Sequence, residues 1–280
     1  MSNTETSKEL NRRLYNIVRA CASLEDVKNE VFKNHDENRW WPLSIKDWRL
    51  RLVVAGWSSR ISYRMISTYQ RVVSEANKLG FDQMSVCSDE ELVNIVKPLG
   101  LPRARIDYFR SVEQFLLQSG WTYETLVRSD NESLIKSFTE GVKGAGYKVA
   151  QCAILYAKGY HCGIIPIDSG MKDMLGPCLG LQLPKAPRAH EMMRIQIEKL
   201  VKENARQYHE LAESLGYGSL DIPKDHAPTW WVHLVLIYFK RMHCNERAPF
   251  RCPLKFDPEL GKFIGSMCCR EQPQEGRYLQ

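Results

Sequence analysis

No stretch of about 18 uncharged apolar residues occurs in this sequence, so nothing in it reads as a membrane-spanning helix. The opening residues, Met1 to Arg13, lack the apolar stretch of a secretory leader. An intracellular protein of cytoplasm, nucleoid or nucleus is expected. A disulfide framework is lacking too. The nine cysteines (21, 87, 152, 162, 178, 244, 252, 268 and 269) are odd in number and irregular in spacing, which suits a reducing compartment. Sustained period-two alternation, internal repeats and low-complexity tracts are absent, so strands should contribute little and a solenoid is excluded. Nor is one sign of charge in large excess: Lys and Arg number 39 against 33 Asp and Glu, a net +6 with a pI near 8.8. That balance admits an anionic partner without requiring one.

What the sequence does have is helical patterning almost throughout, in a chain of 280 residues with 44% hydrophobic and 26% charged content. Leu10, Leu14, Ile17, Val18 and Cys21 recur at helical spacing in a helix expected over 7–32. Cys21 and Cys152 sit in apolar helical settings where cysteine packs as a small hydrophobe. Further helices are expected over 47–54, 61–79, 89–96 with Ser88 as cap, 103–117, 130–139, 147–159, 189–215 and the strongly apolar 228–242. The all-α chain is expected to divide into 1–45, a helix and linker packing with the C-terminal part; 46–160, ending in a helical hairpin over 130–159; 161–270; and a disordered tail, 271–280.

Residues 142–175 carry the chemistry. Gly141, Gly144 and Gly146 between two helices describe a tight turn with positive φ angles and an open helix N-terminus. The backbone N–H groups of Gly144, Ala145 and Gly146 can then face a phosphate. Lys148 lies in the first turn of the next helix, followed by Val149, Ala150, Ala153, Ile154 and Leu155. An apolar wall beside an amine favours its uncharged, nucleophilic form. Asp168 opens another helix after the apolar Ile164-Ile165-Pro166-Ile167, and the returning chain can bring it to Lys148. Each feature alone has a plain reading: a turn, a solvated lysine, an N-cap. Together and in this order, the three features are far more specific than any one alone.

The segment Val142-Lys143-Gly144-Ala145-Gly146-Tyr147-Lys148-Val149-Ala150 resembles the hairpin L-P-G-V-G-x-K-x-A of the helix-hairpin-helix DNA glycosylases, the superfamily of endonuclease III and oxoguanine DNA glycosylase. Ile167-Asp168-Ser169-Gly170 is similar to the V-D-x-H that follows about twenty residues later in that family. Leu52 to Ser59 looks like its helix end L-L-S-A-Q-A-T, Leu99 to Arg105 like its I-G-L turn, and Trp231 to Phe239 like the helix before its iron-sulfur loop. The resemblance implies two helical lobes with a cleft between them and, as partner, double-stranded DNA with a damaged base extruded into a pocket. A monomer is expected.

In that reading Lys148 is the amine that attacks C1′ and forms a Schiff base, with strand cleavage following, and Asp168 assists it. Trp57 and Ser58 contact DNA, with the Trp57 ring filling the gap left in the stack. Tyr147, Gln151 and His161 are base-pocket candidates, beside Tyr156 and the Trp40-Trp41 pair. Three departures stand out. Gly170 replaces the family's His, and Trp57 falls near its wedge glutamine. In the pattern C-x6-C-x2-C-x5-C, Cys244 and Cys252 are followed by Lys255. No iron-sulfur cluster or other cofactor is therefore expected. A site made of Cys244, Cys252, Cys268 and Cys269 is the alternative, against which adjacent thiols give poor geometry. Two other functions stay open: a helix-hairpin-helix protein that grips nucleic acid without cutting it, and a divergent N-glycosidase acting on a nucleoside or RNA.

Overall fold

A computed structural model describes residues 3–37, 44–184, 188–244, 252–261 and 264. Among them are fourteen α-helices, short 3-10 turns and no strand. Trp40, Trp41, Cys268, Cys269 and the tail 271–280 lie outside the described residues. The chain forms two compact units, one of 1–32 with 167–280 and one of 33–166. The division falls at 32/33 and 166/167, where the sequence suggested 45/46 and 160/161.

Two helices expected to be continuous are broken. Residues 7–32 form α1 (Asn3–Ala22) and the start of α2 (Glu25–Glu37). The break follows from Ser23, whose N–H and hydroxyl both donate to the Arg19 carbonyl, at 3.0 and 2.8 Å. Residues 189–215 form α12 (Arg188–Glu203) and α13 (Ala205–Ser214), separated by Asn204 at φ −121°, ψ 26°. The Asn204 amide donates to the Leu200 carbonyl at 2.8 Å, taking the acceptor that its backbone would use in a continuous helix.

The unit 33–166 is built on α3 (Trp48–Trp57), which Asp47 caps through the Arg49 N–H. Six of its side chains are buried: Leu50, Leu52, Val53, Val54, Ala55 and Trp57. It packs on α10 (Tyr147–Lys158), buried from Ala150 to Ala157, on α4 (Ile66–Leu79) and on α7 (Pro102–Ser119). Hydroxyls from two neighbours reach the α3 backbone: Tyr69 donates to the Val54 carbonyl and Tyr108 to the Leu52 carbonyl, each at 3.0 Å. Burial pushes both phenols above their ordinary range, so they remain protonated donors. Gly56 is needed on this face because a Cβ there would run into the Tyr108 ring.

Where α3 ends, Arg105 takes over. Its guanidinium, in a residue only 5% exposed, donates to the carbonyls of Trp57, Gly100 (2.8 Å), Leu99 (3.1 Å) and Ser59 (3.3 Å). These include carbonyls that the end of a helix leaves without partners, and a cation suits the negative end of the dipole. Burial draws the guanidinium below its ordinary pKa, yet four charge-assisted bonds hold it in place.

The other unit centres on α14 (Thr229–Met242), buried along nearly its whole length and packed against α1, α11 (Ser169–Leu179) and α12. From α1 it takes Leu14, Ile17, Val18 and Cys21, the face that the apolar spacing marks. Tyr217 stacks on Phe32 at 5.6 Å and donates to the Ala22 carbonyl at 2.9 Å. Arg194, 2% exposed, is held between Glu191 (2.6 Å) and Glu198 (2.7 Å).

Replacing Arg105 by Met keeps the volume and removes every donor, stranding several buried carbonyls. The loss of stability should be at least about 3 kcal/mol, read as a lower urea midpoint at unchanged slope.

Candidate active site

α9 (Asn131–Gly141) ends at Val142, whose N–H donates to the Phe138 carbonyl at 3.0 Å, and α10 begins after Gly146. Between them the chain reverses through Gly144 at φ +88°, a conformation open to glycine and strained for other residues. The Lys143 N–H donates to Ser111 Oγ at 2.7 Å, tying the turn to α7. The Tyr108 ring lies 3.7 Å from where a Gly144 side chain would begin. The hairpin is thus fixed from beneath by two α7 residues three apart.

Above, it is open. Gly146 is the N-cap of α10 and has no side chain to close it, whereas Ser88, Asp130 and Asp168 cap α6 (Asp89–Val96), α9 and α11. The first N–H groups of α10 therefore lack a capping side chain, an arrangement that can take an anion. One expected donor is not available: the Ala145 N–H turns inward to the Val142 carbonyl at 3.1 Å. The donors are those of Gly144, Gly146 and the first turn of α10. Gly144 and Gly146 border a groove of about 610 Å³ that Ser111, Gln114 and Gln118 of α7 also line. Those three were legible in principle, as polar residues spaced by three and four along one helical face; nothing marked them as functional until the fold put the hairpin beside them.

Lys148 sits in the first turn of α10, partly exposed, and its ammonium has no hydrogen-bond or ion-pair partner among the described residues. Of the apolar residues that follow it, Ala150, Ala153, Ile154 and Leu155 are wholly buried and Val149 is half-buried. Asp168, in the other unit, is the N-cap of α11, with Oδ1 accepting the Met171 N–H at 2.7 Å. Its second oxygen has no protein partner among the described residues. The hairpin and Lys148 thus come together within one unit, and Asp168 belongs to the other.

Four sequence expectations need correction. Trp57 is 1% exposed and its indole N–H donates to the Arg105 carbonyl at 3.1 Å, so its ring is part of the core and not a wedge for DNA. Ser58 is 8% exposed and donates to the Ala55 carbonyl at 2.7 Å, closing the helix end instead of facing a strand. Gln151 has no exposed surface and Tyr156 is buried, so neither reads a base here. Tyr147 and His161 remain partly exposed, with His161 edge-on to Tyr160 at 6.4 Å between centroids. Sequence reasoning quoted Leu101 only as part of a turn. It is 53% exposed at φ +51°, with the carbonyls of the two preceding residues held by Arg105, an apolar side chain presented to solvent at a conformational cost.

Cys21 is wholly buried and burial pushes its thiol well up, with Cys178, Cys252 and Cys244 near enough to add to the effect. Among the described residues no group of three or more His, Cys, Asp or Glu is placed to hold a metal ion. No helix among the described residues is long and apolar enough to cross a membrane.

Compared with known proteins, the sequence matches no protein-family model and no curated protein. The structure does have a solved counterpart. It is similar to a 3-methyladenine DNA glycosylase from H. pylori, solved bound to 1,N6-ethenoadenine. The TM-score is 0.56 at 17% sequence identity, over 81% of this chain and 97% of that one. The fold is that of a helical DNA glycosylase.

A methyl group at Gly144 should cost about 1–2 kcal/mol through the positive φ alone, so Gly144→Ala lowers the unfolding midpoint. Gly146→Ala, at an ordinary φ of −72° and with open space around it, should cost less. Thermal unfolding of the two variants checks the ranking.

Proposed function

We propose that this chain is a DNA glycosylase of base-excision repair that also cleaves the strand at the resulting abasic site. The observation that carries the reading is the uncapped glycine hairpin with an unpaired lysine in its first helical turn, in a chain folded like a solved DNA glycosylase. A phosphate on the hairpin fixes the backbone of any sequence, which is what an enzyme searching for rare lesions needs. Leu101, and not Trp57, is the exposed apolar residue suited to fill the stack once a nucleotide is extruded.

In this reading the Lys148 amine, once deprotonated, bonds to C1′ of the extruded nucleotide. The base leaves with the electron pair of the glycosidic bond and takes up a proton. The carboxylate of Asp168 offsets the positive charge on the sugar and accepts the proton that the amine releases. Opening of the sugar ring gives the imine, which acidifies the adjacent C2′ proton; its removal expels the 3′ phosphate by β-elimination. Using one oxygen as a helix cap holds the Asp168 carboxyl in a single rotamer with the other oxygen available.

The damaged base is an alkylated or otherwise modified one. Alkylated and etheno adenines head the test panel because the fold neighbour is a 3-methyladenine glycosylase solved with an ethenoadenine; oxidised pyrimidines and oxidised guanine complete it. A gripping protein that cuts nothing would bind these duplexes and release no base.

Two substitutions test the assignment. Lys148→Gln should abolish covalent trapping by borohydride on the damaged duplex; trapping at the original level would defeat the nucleophile role. Asp168→Asn keeps an N-cap of similar quality, so stability and DNA affinity should change little. Single-turnover base release should fall by on the order of 100-fold. An equal loss of stability and activity would make Asp168 a structural residue only.

A further inference from the structure

Gly170 departs from the helix-hairpin-helix glycosylase pattern, and its surroundings give the reason. It lies in the first turn of α11, two residues after Asp168, without the positive φ that would demand glycine. Its space is occupied: a Cβ there would stand 2.6 Å from Lys240 Nζ and 2.9 Å from its Cδ, with Cε in contact as well. The side chain of Lys240, near the end of α14, thus runs over the missing side chain of residue 170 and ends beside the turn that Asp168 caps.

The protein gives this ammonium little in return. Lys240 is partly buried and has no hydrogen-bond or ion-pair partner among the described residues. Neighbouring cations do: Lys172 pairs with Asp173 at 3.2 Å, and Arg194 with two glutamates. Nor do Asp168 and Lys240 meet at ion-pair distance. The first turn of a helix is the positive end of its dipole, which disfavours a cation. A partly desolvated, unpaired ammonium held there by packing has its charge available for a ligand. Beside it Ser169 Oγ stands 3.5 Å from His190 Nε2, so the edge of this turn offers a hydroxyl, an imidazole and an amine.

We propose that Lys240 binds a phosphate of the substrate strand next to the nucleotide on which Asp168 acts, in the space that a side chain at 170 would fill. The proposal rests on the glycosylase reading and names a second anion contact, on the unit that does not carry the hairpin. It makes Lys240 a binding residue, distinct from the amine of Lys148.

The probe is a duplex with a tetrahydrofuran abasic-site analogue, which no glycosylase can process, titrated by fluorescence anisotropy over a series of KCl concentrations. Each phosphate neutralised contributes about 0.9 to the magnitude of the slope of log K against log salt. Lys240→Gln should bind severalfold more weakly with a slope shallower by about 0.9, and Lys240→Arg should restore both. Gly170→Ala, which leaves the charge but pushes the flexible end of Lys240 aside, should give the same shallower slope. An unchanged slope in Lys240→Gln overturns the phosphate contact and leaves the glycosylase reading standing. A wild-type protein that binds no duplex at all sinks that reading and this inference with it.

Discussion

The buried guanidinium of Arg105 is the constraint on which the hairpin unit depends. Placing a cation among carbonyls costs desolvation, and it is stable only because several acceptors converge on it. They come from three places, the end of α3, the loop after it and the turn before α7, so one side chain sets the relation among all three. Tyr108, three residues along α7, extends the grip with its ring between Gly56 of α3 and Gly144 of the hairpin. A Cβ at Gly56 would overlap that ring, whereas at Gly144 it would only touch it, so packing demands glycine at 56 and the positive φ demands it at 144. The open start of α10 is therefore positioned by core packing, and Gly146 puts no side chain over it.

That arrangement separates rigidity from charge. The cations that stabilise the fold are spent: Arg49 on Asp47 and Asp82, Arg110 on Asp89 and Glu113, Arg194 on Glu191 and Glu198. Lys148, in the first turn of α10, and Lys240, near the end of α14 with its side chain against the first turn of α11, have no ion-pair partner among the described residues. Each lies beside a positive dipole end that disfavours a cation. Such placement destabilises the free protein slightly and favours binding of a polyanion. The modest net charge of the whole chain is compatible with this, because the location of the unpaired cations matters more than their total.

The hairpin was legible because glycine spacing reports a backbone demand directly, and Asp130 and Asp168 were legible as caps because capping is local chemistry. The apolar face of α1 followed from its period. Trp57 was misread for a physical reason: its position at the end of an apolar helix fits a core residue and an exposed wedge equally well. The deciding partner, the Arg105 carbonyl, lies 48 residues away. Leu101 was hidden for another reason: its left-handed backbone and its exposure leave no mark on the apolar pattern of the turn. The breaks at Ser23 and Asn204 were missed because a single side chain taking one carbonyl barely disturbs the apolar pattern.

By itself, the amino-acid sequence determined the all-helical class, the hairpin with its lysine, and the carboxylate that starts α11, since each rests on forces acting within a few residues. Only the tertiary structure decided which aromatic is core, which hairpin N–H points inward, and that Lys240 occupies the space left by Gly170. Those outcomes depend on contacts between distant segments, whose geometry no local pattern encodes.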